Sequence, residues 1–248
     1  MKRERAARAI AGLLLALTWT TRAGAYRPFD GTDADVAAPR EFELEAGPLG
    51  YERQGNERFL IGPALVLNYG LAPRFEAVLE GRQQRDLDHL RHSETEDVAL
   101  SLKSLLREGS LQDGTGVSVA LETGLLLPGS ERRLGAHVAS ILSWHWPALT
   151  LHVNLGNDLL TSIHYAATAS LIVEGPAGWR VRPVAELLLQ RDFGQPQLSM
   201  GLERSALIGA ILPWNESWSF DLALRRAVLD REVMVEARLG FTWSFASD

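Results

Sequence analysis

Apolar and polar residues alternate along most of the chain after residue 40. In WSFDLALR, which begins at Trp218, every second residue is apolar and the residues between them are mostly polar or small. Because successive side chains of a β-strand point to opposite faces, this period predicts strands with one apolar face. We predict twelve strands, at 41–53, 58–69, 74–84, 96–107, 116–127, 136–145, 149–157, 164–174, 179–191, 204–212, 217–226 and 233–245.

Two of these strands have an irregular pattern. Gly47-Pro48 interrupts the first strand and indicates a β-bulge, whereas the tenth strand has apolar residues on both faces. Ten strands is therefore the alternative count. No amphipathic helix of comparable length follows residue 40, and either count makes the protein all-β.

The connections between the predicted strands favour a barrel over a sandwich. They are short at one end, as at 70–73 and 146–148, and mostly longer and more polar at the other, as at 85–95 and 192–203. Short periplasmic turns and longer extracellular loops are typical of outer-membrane barrels. We therefore predict one antiparallel transmembrane β-barrel over residues 41–248. A secreted β-sandwich, with its polar faces in water, is the alternative.

Aromatic residues gather at the short-turn end of these strands. Tryptophan and tyrosine prefer the headgroup level of a membrane, where an apolar ring and a polar group are both satisfied. In a soluble sandwich no physical effect would place the tryptophans at one end. We therefore expect these aromatic residues to contact outer-membrane lipid. The predicted interface aromatics are Tyr69, Trp144, Trp146, Trp179, Trp214, Trp218, Trp243 and Phe245.

Residues 1–25 have the layout of a cleaved signal peptide. A basic start is followed by the apolar run 9–17 and by the small residues Ala23-Gly24-Ala25. The run is shorter than the roughly 20 residues of a membrane-spanning helix. Cleavage removes five basic residues and one acidic residue, leaving 20 basic and 30 acidic side chains and a formal charge of −10.

The mature composition excludes several classes of function. A net acidic chain offers no basic surface to a phosphate backbone, so we predict no nucleic-acid partner. The sequence has no cysteine, which excludes a thiolate nucleophile and a cysteine metal site.

Three stretches of the chain carry more specific motifs. They are PFDGTDADVAAPREFELE (28–45), LNYGLAPRFE (67–76) and ALIGAILPWNESWSFDLALRR (206–226). They resemble the opening, an early hairpin and the penultimate hairpin of the family named for the MetA pathway of phenol degradation. The resemblance implies a transporter-like barrel in the Gram-negative outer membrane that takes up small hydrophobic or aromatic compounds. It brings no catalytic residues with it.

The polar faces of the predicted strands would line the lumen. Opposed arginine and glutamate side chains either line a selective pore or pair across it and close it, because buried charges must be paired. About twelve strands enclose a narrow bore, so we predict a narrow passive channel for small molecules, without cofactors. A structural or binding barrel is the alternative. The candidate lumen residues are Arg74, Glu76, Glu80, Arg82, Lys103, Glu122, His152, Asn154, Arg180, Arg182, Glu186, Asp221, Arg225, Glu236 and Arg238.

A lipid hydrolase is a third hypothesis. His152 and Asn154, with Ser143 on the preceding strand, are the candidate set for a serine nucleophile and its base. Strand parity places them inside the barrel, away from lipid. We therefore predict that the protein is not an enzyme and has no catalytic residues.

Two clusters offer weak metal signals. His89 and His92 have no specific ligand spacing, and a solvated loop explains them better. The acidic residues of 30–35 lack the glycine and spaced ligands of a calcium loop. We predict no metal site and interpret residues 26–40 as a disordered periplasmic leader.

The last strand resembles the C-terminal signal read by the barrel assembly machinery. Its pattern places a polar residue, a glycine and two aromatic residues at Arg238, Gly240, Trp243 and Phe245. The three residues after Phe245 depart from that pattern. We predict the assembly machinery as a partner, with an ordinary half-buried strand as the alternative.

Overall fold

The computed structural model describes residues 27–88, 93–128, 134–161, 164–193, 201–229 and 231–246. These residues form twelve β-strands and one short 3₁₀ helix, Ser110–Gln112. The strands are β1 (Glu41–Gln54), β2 (Glu57–Ala72), β3 (Phe75–Asp86), β4 (Ser93–Arg107), β5 (Ser118–Leu126), β6 (Gly135–Trp146), β7 (Leu149–Thr161), β8 (His164–Glu174), β9 (Arg182–Phe193), β10 (Leu202–Pro213), β11 (Trp218–Leu229) and β12 (Glu232–Ala246). The twelve predicted strands are confirmed, with bounds that differ by at most four residues.

The twelve strands close into one antiparallel barrel. Each strand pairs with its neighbours in sequence, and β1 pairs with β12. Closure gives the backbone of every strand two partners and leaves no sheet edge. The register of β1 against β12 shifts between Ala46 and Leu49, which confirms the bulge predicted at Gly47-Pro48.

The two ends of the barrel differ in their connections. The turn end, where β1 begins and β12 ends, has two-residue turns at 73–74 and 147–148 and a longer connection at 108–117 that contains the 3₁₀ helix. The opposite, loop end has three long connections, between β3 and β4, β5 and β6, and β9 and β10; its other three connections are each two residues long. No helix in the described part of the chain is long and apolar enough to cross a bilayer.

Side chains alternate across the barrel wall as the sequence period requires. On β11, Leu222 and Leu224 are about half exposed on the outer face, whereas Asp221 and Arg225 are buried on the inner face. The outer face is therefore apolar, and the inner face carries most of the buried polar side chains together with some buried apolar ones, such as Ile61 and Leu188. The interior also holds a small apolar cluster of Ala34, Ala120 and Ile141.

Candidate functional site: the barrel lumen

The leader, residues 27–40, lies inside the barrel. From the start of β1 at the turn end it runs into the lumen, reaches Arg225 and Arg238 near mid-height, and turns back toward Glu45. It therefore fills the turn-end half of the lumen. This placement differs from the expectation of a disordered periplasmic leader, because lumen side chains satisfy its backbone.

The tightest backbone contacts are made around Gly31. The amides of Asp30 and Gly31 donate to the two carboxylate oxygens of Glu186, at 2.8 and 2.9 Å. The Thr32 amide donates to Oδ1 of Asn154 at 3.1 Å, and Nδ2 of Asn154 donates back to the Thr32 carbonyl at 2.8 Å. Two barrel side chains, one on β9 and one on β7, thus satisfy a continuous stretch of backbone.

Further anchors hold both ends of the leader. The amide of Arg27 donates to Glu45 at 3.0 Å, and the Ala34 amide donates to Oγ of Ser143 at 2.9 Å. The Ala37 amide donates to Glu76. The anchors come from strands around the whole barrel, so the leader is fixed across the lumen rather than along one wall.

The acidic residues of the leader pair with basic lumen residues. Asp30 lies 2.6 Å from Nη2 of Arg238 and 2.8 Å from Nε of Arg225, and Asp33 lies 3.4 Å from Nζ of Lys103. Desolvation alone would raise the pKa of Asp30, but the positive charges of Arg238 and Arg225 lower it to about 2. Asp35 accepts a hydrogen bond from the side-chain amide of Gln112. These partners account for the acidic spacing without a cation ligand.

Two glycines allow the leader to approach the wall closely. A Cβ atom on Gly31 would lie 2.5 Å from Oγ of Ser170 and 3.1 Å from Glu186. A Cβ atom on Gly240 would overlap the guanidinium group of Arg27 and lie 2.7 Å from the Asp221 carboxylate. Gly240, predicted as part of the assembly signal, therefore also makes room for Arg27, which lies 3.6 Å from Asp221.

A buried polar chain runs behind the leader. Oγ of Ser143 lies 2.8 Å from Nδ1 of His152, whose Nε2 lies 3.2 Å from Glu174, and Arg182 lies 3.2 Å from the other oxygen of that carboxylate. Because the Glu174 carboxylate is an acceptor, Nε2 of His152 is assigned as the donor to it and Nδ1 as the acceptor from the Ser143 hydroxyl.

This arrangement has the order of a serine, a base and an orienting carboxylate. Ser143 is fully buried, however, and its oxygen is occupied by the leader. A nucleophile must reach the substrate carbonyl, and here the leader covers it. The geometry therefore supports an anchoring role for Ser143 and His152 and adds no support to the hydrolase hypothesis.

A cavity of about 570 Å³ occupies the lumen between the leader and the loop end. Its floor is formed by residues 27–32 of the leader, and Gln54, Gly201 and Met234 line it toward the loops. The lumen thus has a filled half and a hollow half.

The predicted lumen residues divide between these two halves. Glu76, His152, Arg182, Glu186 and Asp221 surround the leader or support its anchors. The others that face the lumen line the cavity, namely Glu80, Arg82, Lys103, Glu122, Asn154, Arg225, Glu236 and Arg238; of these, Lys103, Asn154, Arg225 and Arg238 also contact the leader.

Two predicted lumen residues lie elsewhere. Arg74 is in the turn before β3, is about half exposed and pairs with exposed Glu108 at 3.0 Å. Arg180 is exposed in the connection before β9. Both lie in a connection, before the next strand begins. Outside a strand, side chains do not alternate between the two faces of the barrel wall, so the alternation does not determine which way they point.

Several important lumen residues were not among the predicted set. Glu45 and Ser143 anchor the leader, Glu174 continues the chain from His152, and Glu52 lines the cavity. The parity of β1 already placed Glu45 inward. Glu52 lies beyond the bulge, and the bulge reverses which alternate residues of β1 face the lumen. The inward direction of Glu52 could therefore be predicted only if the position of the extra residue were known.

The predicted interface aromatics lie at the turn end. Trp146, Trp179 and Trp214 are exposed there. Phe42 contacts both Tyr69 and Phe245, and Phe245 contacts Trp243 with ring centroids 4.3 Å apart. Trp218 stacks on Trp243 with centroids 5.3 Å apart. Contact with lipid headgroups remains a prediction.

The structure adds no support to either of the two candidate metal sites. His89 and His92 lie outside the described residues. Elsewhere in the described ranges, no group of three or more histidine, aspartate or glutamate side chains is arranged to hold a metal ion.

Comparison with solved structures identifies shared folds. The COG4313 outer membrane channel from Pseudomonas putida F1 matches with a TM-score of 0.64 and 10% identity, over 88% of this chain and 100% of that one. The NanC porin matches with a TM-score of 0.61 and 8% identity, over 82% and 98%. A KdgM porin in complex with disordered oligogalacturonate matches with a TM-score of 0.53 and 11% identity, over 82% and 99%. At these identities the likeness shows a common barrel fold.

No protein-family model matches the sequence, and no curated protein matches it. The resemblance to the MetA-pathway family is therefore not confirmed.

Proposed function

We propose that this protein is a narrow passive channel for small molecules in the outer membrane of a Gram-negative bacterium. The observation that carries the proposal is the lumen itself, in which a cavity of about 570 Å³, lined by both charged and apolar side chains, lies above a leader that fills the other half. The leader sets the bore of the channel. The turn end, with both ends of the barrel sequence, faces the periplasm.

The outer surface supports a membrane location. Leucine and isoleucine side chains on its strands are exposed, as at Leu187, Ile208 and Leu224, each more than half exposed. Such a surface is costly in water and stable in lipid. The shared fold with outer-membrane channels is consistent with this location.

The cavity lining favours a water-soluble solute. It contains ten carboxylates and five arginine or lysine side chains among the described residues. A hydrophobic solute would have to displace water from these charges without replacing its hydrogen bonds. The lining therefore argues against the hydrophobic or aromatic compounds that the family resemblance implied.

A closed structural barrel is the second candidate. The anchoring of the leader by Glu45, Ser143, Asn154 and Glu186 favours it, because so many hydrogen bonds hold the leader in place. The two candidates differ in whether ions cross the barrel.

Purified protein in planar bilayers distinguishes them. We expect the wild type to give small, discrete currents and Gly31→Val to raise the conductance several-fold, because the added side chain overlaps Ser170 and displaces the leader. Gly178→Val is the matched control, since nothing lies within 4 Å of a Cβ atom at Gly178. A wild type that carries no current at any voltage contradicts the channel and supports the closed barrel.

A further inference from the structure

We infer that the lumen cavity is a binding site for small organic cations, of the ammonium or guanidinium class. The inference rests on the proposed function in treating the lumen as the path of the solute. Binding to the cavity does not require ions to cross the barrel, so the two are tested separately.

The first argument is the charge of the lining. Its ten carboxylates and five arginine or lysine side chains give the described lining residues a formal charge of −5. Walls of one sign in a cleft of low dielectric concentrate ions of the opposite sign.

The second argument is that the positive charges are already engaged. Each of the five basic lining residues lies within 4 Å of a carboxylate, and Arg225 also pairs with Glu203. These residues are Arg27, Arg82, Lys103, Arg225 and Arg238, at 3.6, 2.9, 3.4, 2.8 and 2.6 Å respectively. An anionic solute would have to compete with these pairs for its counter-charge, whereas a cationic solute can bind Glu52, a lining carboxylate that belongs to none of them.

The third argument is Glu52. Its residue is 3% exposed, it lines the cavity, and it forms no hydrogen bond or ion pair with any described residue. The residue opposite on β12, Glu236, already pairs with Arg238 at 2.8 Å and with Arg225 at 3.8 Å. A buried carboxylate outside any ion pair is unfavourable, so Glu52 offers a favourable partner to a cation from outside the chain.

The remaining lining selects an organic cation over a metal ion. No group of three or more acidic or histidine side chains in the described ranges has an arrangement for metal binding. Apolar side chains, including Ile61, Leu126 and Leu188, also line the cavity. An alkyl chain that ends in an ammonium group matches both surfaces.

Isothermal titration of the purified barrel in detergent tests the inference. The probes are putrescine, which is a four-carbon diamine, the diol of the same chain length, and succinate. We expect putrescine to bind and the diol and succinate to bind much more weakly. Glu52→Gln should raise the Kd for putrescine at least about tenfold, the range of a lost charge-assisted hydrogen bond.

Glu57→Gln is the matched control, because Glu57 is exposed at the start of β2 and does not line the cavity. The inference fails if succinate binds as tightly as putrescine, or if Glu52→Gln binds putrescine like the wild type. Retention of the folded band on an unheated gel verifies each variant. If Glu52→Gln does not fold, Glu122→Gln, at a half-buried lining position, replaces it with the same expected direction.

These outcomes are independent of conduction. A barrel that binds putrescine but carries no current contradicts the channel and leaves the cation site intact. A barrel that conducts but prefers succinate contradicts the cation site alone.

Discussion

The two halves of the lumen are built from the same kinds of residue and differ in what those residues face. In the turn-end half, Glu186 accepts two backbone amides from the leader. In the loop-end half, Glu122 has the same inward direction but is half-buried beside the cavity. The alternation of side chains along each strand makes both glutamates point inward. The position of the leader makes Glu186 part of a packed interior and leaves Glu122 lining a cavity.

The largest expected effect separates these two glutamates. Glu186→Ala leaves the amides of Asp30 and Gly31 without acceptors, and each orphaned buried amide costs about 1–3 kcal/mol. We therefore expect the free energy of unfolding to fall by about 2–5 kcal/mol. The measurement is the urea midpoint at which the purified barrel loses its folded gel mobility.

Glu122→Ala is the matched variant for this prediction. It removes a partly solvated carboxylate, so the expected loss is below about 1 kcal/mol. Equal losses for the two variants would mean that the contacts of Glu186 with the leader stabilise the fold no more than a partly solvated carboxylate does.

Gly240→Ala tests the packing of Arg27 in the filled half. The new methyl group overlaps the Arg27 guanidinium and crowds Asp221, and overpacking of this kind costs about 1–3 kcal/mol. If this cost arises through Arg27, it should shrink when Gly240→Ala is made in an Arg27→Ala background. Thermal unfolding of the four proteins measures the coupling.

The same cycle separates two roles of Gly240. A role in recognition by the assembly machinery lowers the yield of folded barrel in the membrane without changing the stability of the protein once purified. A stability loss that is independent of Arg27 would contradict the packing role.

Local periodicity explains what the sequence predicted well and what it did not. The strand β11 was predicted because each residue of WSFDLALR is assigned to a face by its neighbours alone. The leader has no such period, and its folding depends on contacts as distant in sequence as Asp30 with Arg225. Arg180 was assigned inward because its strand was extended too far toward the turn.

One feature of the sequence was consistent with a leader inside the barrel but did not identify it. The predicted lumen residues included Arg225, Arg238 and Lys103, and their buried charges needed partners. Asp30 and Asp33 supply some of those partners. Their role could not be read from spacing, because it depends on the chain entering the barrel.

The smallest expected effect concerns the pH dependence of stability. The contribution of Asp30 to the free energy of unfolding should not change over a wide range of pH. Arg238 and Arg225 hold the pKa of Asp30 at about 2, against an ordinary value of 3.8. A carboxyl group whose pKa is lowered by folding stabilises the fold fully at pH values above its ordinary pKa, and this contribution is lost as the pH falls toward the lowered pKa.

The stability difference between the wild type and Asp30→Asn should therefore stay constant from about pH 8 to about pH 5 and decline below about pH 4. Urea titrations of both proteins at each pH measure it, with Glu57→Gln, at an exposed residue of the loop end, as the control for a carboxylate outside the lumen. A difference that already changes between about pH 8 and about pH 5 would show that the two arginines do not hold Asp30 in its charged form, and the leader would then be bound by its backbone contacts alone.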